Sequence, residues 1–119
     1  MCFMHDFRRL EAWRRARDLV VAVDSAIRRF PRSDRGLVAA QLRRAVLSIP
    51  ANIAEGCGRN SRTDTIRFLR IASGSAAEAE SHLEVAAAMR HLNTAEHEAL
   101  IRELTAIQRM PFRLIQNLP

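Results

Sequence analysis

Apolar residues recur at alternating steps of three and four along most of this chain, and no segment alternates apolar and polar residues with period two. That spacing gathers side chains on one face of an α-helix and does not fit the two-faced pleat of a strand. Trp13, Ala16, Val20, Val23, Ile27 and Phe30 form the first stripe, and Val38, Leu42, Ala45, Ile49 and Ile53 the second. Leu69, Ala72, Ala76, Ala79, Leu83 and Ala86 form the third, and Leu100, Leu104, Ile107, Leu114 and Leu118 the fourth. No Asn-Gly or Asp-Gly pair offers a hairpin turn. The pattern predicts four helices, at about 8–30, 34–56, 62–90 and 95–117.

The residues between the stripes fit these limits. Asp6 can cap the first helix, Ser33 or Asp34 the second, Ser61 or Thr63 the third, and Asn93 or Thr94 the fourth. Pro31 ends the first helix, because the residue before a proline is pushed out of the helical region. Gly56 and Gly58 bracket the end of the second, where left-handed backbone is wanted. Pro50 and Pro111 lie inside helices, and each removes one backbone bond. A kink is expected at Pro50, and a kink or a split at Pro111. Asn52 and Glu55, one turn past Pro50, are placed to satisfy the carbonyl that it frees.

Four amphipathic helices with short connections make an all-α, antiparallel up-down four-helix bundle, with residues 1–119 as a single domain. The small residues of the third helix, with Ser73, Gly74 and Ser75 beside them, predict close helix–helix approach. The first helix is apolar beyond one stripe, through Leu10, Ala12, Leu19, Val21 and Ala26. Either it has a broad core face or it serves an oligomer contact.

Net charge is +6, and all 19 basic residues are Arg, with no Lys. Residues 1–62 carry a net +7 and residues 63–119 a net −1, counted from the sequence. Such asymmetry predicts a basic patch, and arginine's planar fork suits phosphate and carboxylate oxygens. No stretch approaches the ~18 apolar residues that cross a bilayer, and the opening residues do not read as a signal peptide. Cys2 and Cys57 make neither a disulfide framework nor a zinc site by spacing, so a reduced, cytoplasmic setting is expected.

No catalytic signature is present. No Glu is followed three residues on by His, as a di-metal bundle requires, and there is no P-loop, nucleophile elbow or dinucleotide fingerprint. His82 and Glu84 lie two apart, off a common face, while His91, Glu96 and His97 sit near a turn where solvated polar residues are ordinary. Cys57, beside Arg59, reads as structural. Neither a cofactor nor a metal is expected, and the chain reads as non-enzymatic.

The best functional candidate is the loop from Gly56 to Thr63, leading into Arg67 and Arg70. A helix N-terminus offers free N–H groups and partial positive charge, and Arg59, Arg62, Arg67 and Arg70 add full charges there. For stability alone the macrodipole prefers acids at that end, and only Asp64 obeys. Either the glycines and Ser/Thr are plain caps with arginines reaching into solvent, or the arginines bind phosphate. Arg43 and Arg44 form a second basic spot, pointing about 100° apart.

The segment Gln41-Leu-Arg43-Arg44-Ala-Val-Leu-Ser48-Ile-Pro50-Ala-Asn52-Ile-Ala-Glu55-Gly56-Cys-Gly58-Arg59 closely resembles the hallmark of bacterial four-helix bundle proteins encoded in intervening sequences of 23S ribosomal RNA genes. Phe7-Arg-Arg-Leu10-Glu-Ala-Trp13 resembles that family's start. Phe68-Leu69 and Ala72-Ser-Gly74-Ser75-x-x-Glu78 resemble its third helix. Pro111 and the lysine-free surface are departures. The resemblance implies an up-down bundle assembled as a ring-like homopentamer. It also implies kinship with the basic, nucleic-acid-binding accessory variability proteins of diversity-generating retroelements. It supplies no catalytic residues, and the family's cellular role is not established.

The sequence therefore predicts a basic oligomeric bundle that binds RNA or DNA backbone through Arg43, Arg44, Arg59, Arg62, Arg67 and Arg70, without sequence specificity. Pro50, Asn52, Glu55, Gly56 and Gly58 form its structural motif. The alternative is a protein-interaction scaffold for an acidic or polymerase-type partner.

Overall fold

The four apolar stripes close on one another through small and branched side chains. In the computed structural model, which describes residues 6–34 and 36–119, these residues form α1 (Glu11–Ile27), α2 (Val38–Cys57), α3 (Arg62–Ala88) and α4 (Thr94–Gln116). Two 3-10 turns, Phe7–Arg9 and Arg32–Asp34, precede α1 and α2, and among the described residues there is no strand. The most extensive seam is α2–α3, followed by α3–α4, α1–α2 and α1–α4. Cys2 lies outside the described residues.

The core is one continuous cluster. Leu42, Ile49 and Ile53 of α2 and the whole α3 stripe from Leu69 to Ala86 are fully buried. The alanines of α3 bring α2 and α4 close to its axis. Gly74 does not share this role: a Cβ there would meet nothing within 4 Å. On α1 the buried face is Ala12, Ala16, Leu19, Val23, Ala26 and Ile27, so the stripe is centred to one side of the predicted one. Trp13 and Val20 are only partly buried, and Val21 is 66% exposed.

The helix ends differ from expectation where local backbone outweighs periodicity. The chain before α1 forms a 3-10 turn capped by Asp6, which accepts from the Arg8 N–H at 3.1 Å. That bond holds the Asp6 carboxyl below its ordinary pKa. Phe7 of the turn packs edge-on against Trp13, with ring centroids 4.9 Å apart. Helix α1 stops at Ile27, three residues before the proline-restricted Phe30. Helix α2 starts at Val38, four residues late, because Arg32–Asp34 curl into a 3-10 turn. Neither Ser33 nor Asp34 is its N-cap. That position is Leu37, with no side-chain bond, and Asp34 instead reaches the Ala39 N–H at 3.3 Å. Ser61 caps α3, and Asn93 caps α4 in a reciprocal box with Glu96.

Helix α3 ends at Ala88, and Arg90 takes a left-handed φ of 64°. The His91 N–H bonds the Ala86 carbonyl at 2.9 Å and the Arg90 N–H that of Ala87 at 3.0 Å. This is the Schellman arrangement, with Arg where glycine is usual. Neither Pro50 nor Pro111 interrupts its helix, and both are buried.

Candidate nucleic-acid interface

The α2–α3 junction is built by close backbone approach. A Cβ on Gly56 would lie 3.2 Å from the Phe68 Cβ and 3.2 Å from the Thr65 carbonyl oxygen. Glycine is needed here for proximity, not for a left-handed turn: neither Gly56 nor Gly58 has positive φ, and Gly58 caps α2 at φ −87°. The buried Thr65 hydroxyl donates to the Gly56 carbonyl at 3.0 Å, locking the two helices. Ser61 accepts from the Asp64 N–H at 3.1 Å and sets the first turn of α3. Cys57 is buried at this junction, which fits a structural thiol.

That junction gathers part of the expected arginine set. The guanidiniums of Arg59 and Arg67 both lie over the Phe68 ring, 4.6 and 4.4 Å from its centroid. Arg59 also pairs with Glu55 at 3.5 Å, and its buried Nε has no hydrogen-bond partner among the described residues. Arg67 and Arg70 line one open groove with Thr63, Ile66 and Ile71. Arg62 is the exposed first residue of α3. Arg62, Arg67 and Arg70 have no carboxylate partner among the described residues, so their charge is open to solvent anions.

The other two predicted arginines lie elsewhere. Arg43 and Arg44 flank an apolar groove between α1 and α2, lined by Val20, Val21, Val46 and Leu47. Arg43 pairs with Asp24 at 2.7 Å, and Asp24 also holds Arg28 at 3.1 Å, so one carboxylate serves two arginines. Exposed Val21 and Leu47 make this face apolar between its charges.

Asn52 bonds nearby backbone as the sequence predicts, though not at the carbonyl that Pro50 frees. Pro50 frees the Val46 carbonyl, but the Asn52 amide donates to the Ser48 carbonyl and hydroxyl, each at 2.8 Å. The Asn side chain reaches one helical turn back, and Val46 lies beyond that turn. Ser48 in turn bonds Ser75 at 2.8 Å, so this polar cluster joins α2 to α3. Glu55 serves Arg59 rather than backbone.

The family model described as 23S rRNA-intervening sequence protein matches residues 8–113. The chain belongs to that family. It is also similar to a solved structure from Bacteroides thetaiotaomicron, described as a protein of unknown function from the S23 ribosomal protein family, with a TM-score of 0.80 and 22% identity. The match covers 89% of this chain and 99% of that one, and at this identity it speaks to the fold. No curated protein matches the sequence. Among the described residues no helix is long and apolar enough to cross a membrane, and no three His, Cys, Asp or Glu side chains form a metal-ligating group.

Of His91, Glu96 and His97, His91 alone is nearly buried, while the Glu84–His97 and Glu96–Arg29 pairs stay at the solvated surface. The His91 Nε2 lies 3.3 Å from the Asp34 carboxylate, although the angle there is too poor for a hydrogen bond. Its ring packs on Phe30 at 5.1 Å. Glu84 accepts His97 at 2.8 Å, His82 pairs with Glu78 at 3.2 Å, and Glu96 also pairs with Arg29. Sequence reading also missed a second arginine groove, between α1 and α4. Three of its arginines lie along α4, and Arg15 of α1 joins them only in the fold.

Proposed function

We propose that this protein is a non-enzymatic, cytoplasmic, basic bundle that binds nucleic-acid backbone without reading base sequence. The observation that carries this reading is the α2–α3 junction, where Arg62, Arg67 and Arg70 lack carboxylate partners beside the Arg59–Phe68–Arg67 contact. Arg62, in the first turn of α3, is unfavourable to the macrodipole unless an anion joins it. Phosphates neutralised by such side chains release counterions, which gives affinity without sequence information.

The same proposal takes the four helices as one antiparallel up-down domain that assembles into a ring-like homopentamer, akin to the accessory variability proteins. The apolar α1–α2 groove, with exposed Val21 and Leu47, supports a subunit contact there. Five copies at +6 each would carry +30, which favours polyanion binding. That apolar groove also supports a second reading, a scaffold for an acidic or polymerase-type protein.

A salt titration of duplex and single-stranded binding tests the first reading. Log affinity should fall against log salt with a slope of about −0.9 per duplex phosphate contacted. Replacing Arg59, Arg62, Arg67 and Arg70 by Ala should flatten the slope while circular dichroism stays helical. Salt-insensitive binding, or an unchanged slope in the quadruple variant, refutes this surface as the interface.

A further inference from the structure

Helix α4 carries Arg102, Arg109 and Arg113 at steps of seven and four, which returns all three to within about 40° of one another around the helix. They form a straight row about 16 Å long at 1.5 Å rise per residue. Together with Thr105, Ala106 and Met110 they line a groove of about 320 Å³, and Arg15 of α1 closes its other side. All three α4 arginines are exposed.

The charge in this groove is not balanced from within. Arg15 is held by Glu103 through two bonds of 2.9 Å and by Glu11 at 3.6 Å. Arg102, Arg109 and Arg113 make no hydrogen bond or ion pair among the described residues. Four cations and two carboxylates leave the groove at +2. The carboxylates fix Arg15 in place, whereas the α4 row is left unpaired. Like charges four apart on a helix repel, so Arg109 and Arg113 are costly neighbours unless something anionic lies between them. The small Ala106 and the buried Met110 line the groove, and the Thr105 hydroxyl adds a neutral polar group to it.

We infer that the α1–α4 groove is a phosphate-binding site that takes two or more linked phosphoryl groups. A row of separate guanidiniums offers successive contacts along a phosphate chain, and each planar fork can hold two oxygens. The +2 excess matches two singly charged phosphoryl groups. This site shares no helix with the α2–α3 junction and does not rest on the nucleic-acid reading given above.

Calorimetric titration of the full chain with inorganic tripolyphosphate, orthophosphate and sulfate at equal ionic strength tests it. Tripolyphosphate should bind at least tenfold more tightly than either simple anion. The Arg109→Gln/Arg113→Gln variant should lose at least tenfold, and Arg28→Gln, at a residue paired with Asp24 outside both arginine grooves, should lose none. Thermal melts of both variants report folding, and Arg102→Gln alone gives a milder change on the same row. A second arm adds a short oligouridylate. Competition with tripolyphosphate marks the groove as a nucleic-acid backbone site, whereas tripolyphosphate binding without competition marks it as a site for free oligophosphate. Tripolyphosphate binding no tighter than sulfate, or binding unchanged in the α4 double variant, overturns the inference.

Discussion

Alanine at Gly56 and alanine at Gly74 should shift stability in opposite directions. Both glycines lie inside helices, α2 and α3, and in an unobstructed helix alanine is worth about 1 kcal/mol over glycine. At Gly74 a Cβ meets nothing within 4 Å, so the full gain of about 1 kcal/mol is expected. At Gly56 the new carbon sits 3.2 Å from the Phe68 Cβ and 3.2 Å from the Thr65 carbonyl oxygen. Neither neighbour can swing away by a side-chain rotation. The two helices must part by a few tenths of an ångström, which also stretches the 3.0 Å bond from Thr65 to the Gly56 carbonyl. Overpacking of this kind costs about 1–3 kcal/mol, more than the propensity gain, for a net loss of about 1 kcal/mol. Urea unfolding followed by far-ultraviolet circular dichroism, at one protein concentration, should separate the two variants by about 2 kcal/mol. Thermal midpoints should move apart by several degrees. Stabilisation by Gly56→Ala would refute the close approach at the junction. Destabilisation by Gly74→Ala would show that its open face is covered in solution.

Arg90→Gly should raise stability by about 0.5–1 kcal/mol, because it removes the Cβ penalty at φ 64°, and a higher urea midpoint would register it. Asn93→Ala should cost about 1 kcal/mol through loss of the 2.8 Å bond to the Glu96 N–H, measurable in the same assay.

The helical stripes were legible because a period of three to four is a local property of the chain. Every predicted residue of the α2 and α3 stripes is buried. The α1 stripe was read off-centre because Trp13, Val20 and Val21 are as apolar in sequence as the residues that face the core. Helix ends were misplaced where 3-10 turns at Arg32–Asp34 and Phe7–Arg9 compete with α-helix over single residues. At the junction the arginines were legible as a run, but the role of Gly56 depends on Phe68 and Thr65, which only the fold brings near. The division of charge between halves of the chain concealed Arg102, Arg109 and Arg113. Glu103, next to Arg102 in sequence, is taken up by Arg15, which joins the row only across the α1–α4 seam.

The buried Asp34–His91 contact joins residues 57 apart in the chain, one in the α1–α2 connection and one just after α3. A contact that closes so long a segment gains nothing until both connections are in place. Neither the Asp34 Oδ1 nor the His91 Nε2 has a hydrogen-bond partner among the described residues, so the contact rests on proximity and on the packing of the His91 ring against Phe30. The strained turn at Arg90 delivers His91 to that contact. The α1–α2 and α3–α4 connections thus share one anchor, and neither can be rebuilt without disturbing the other.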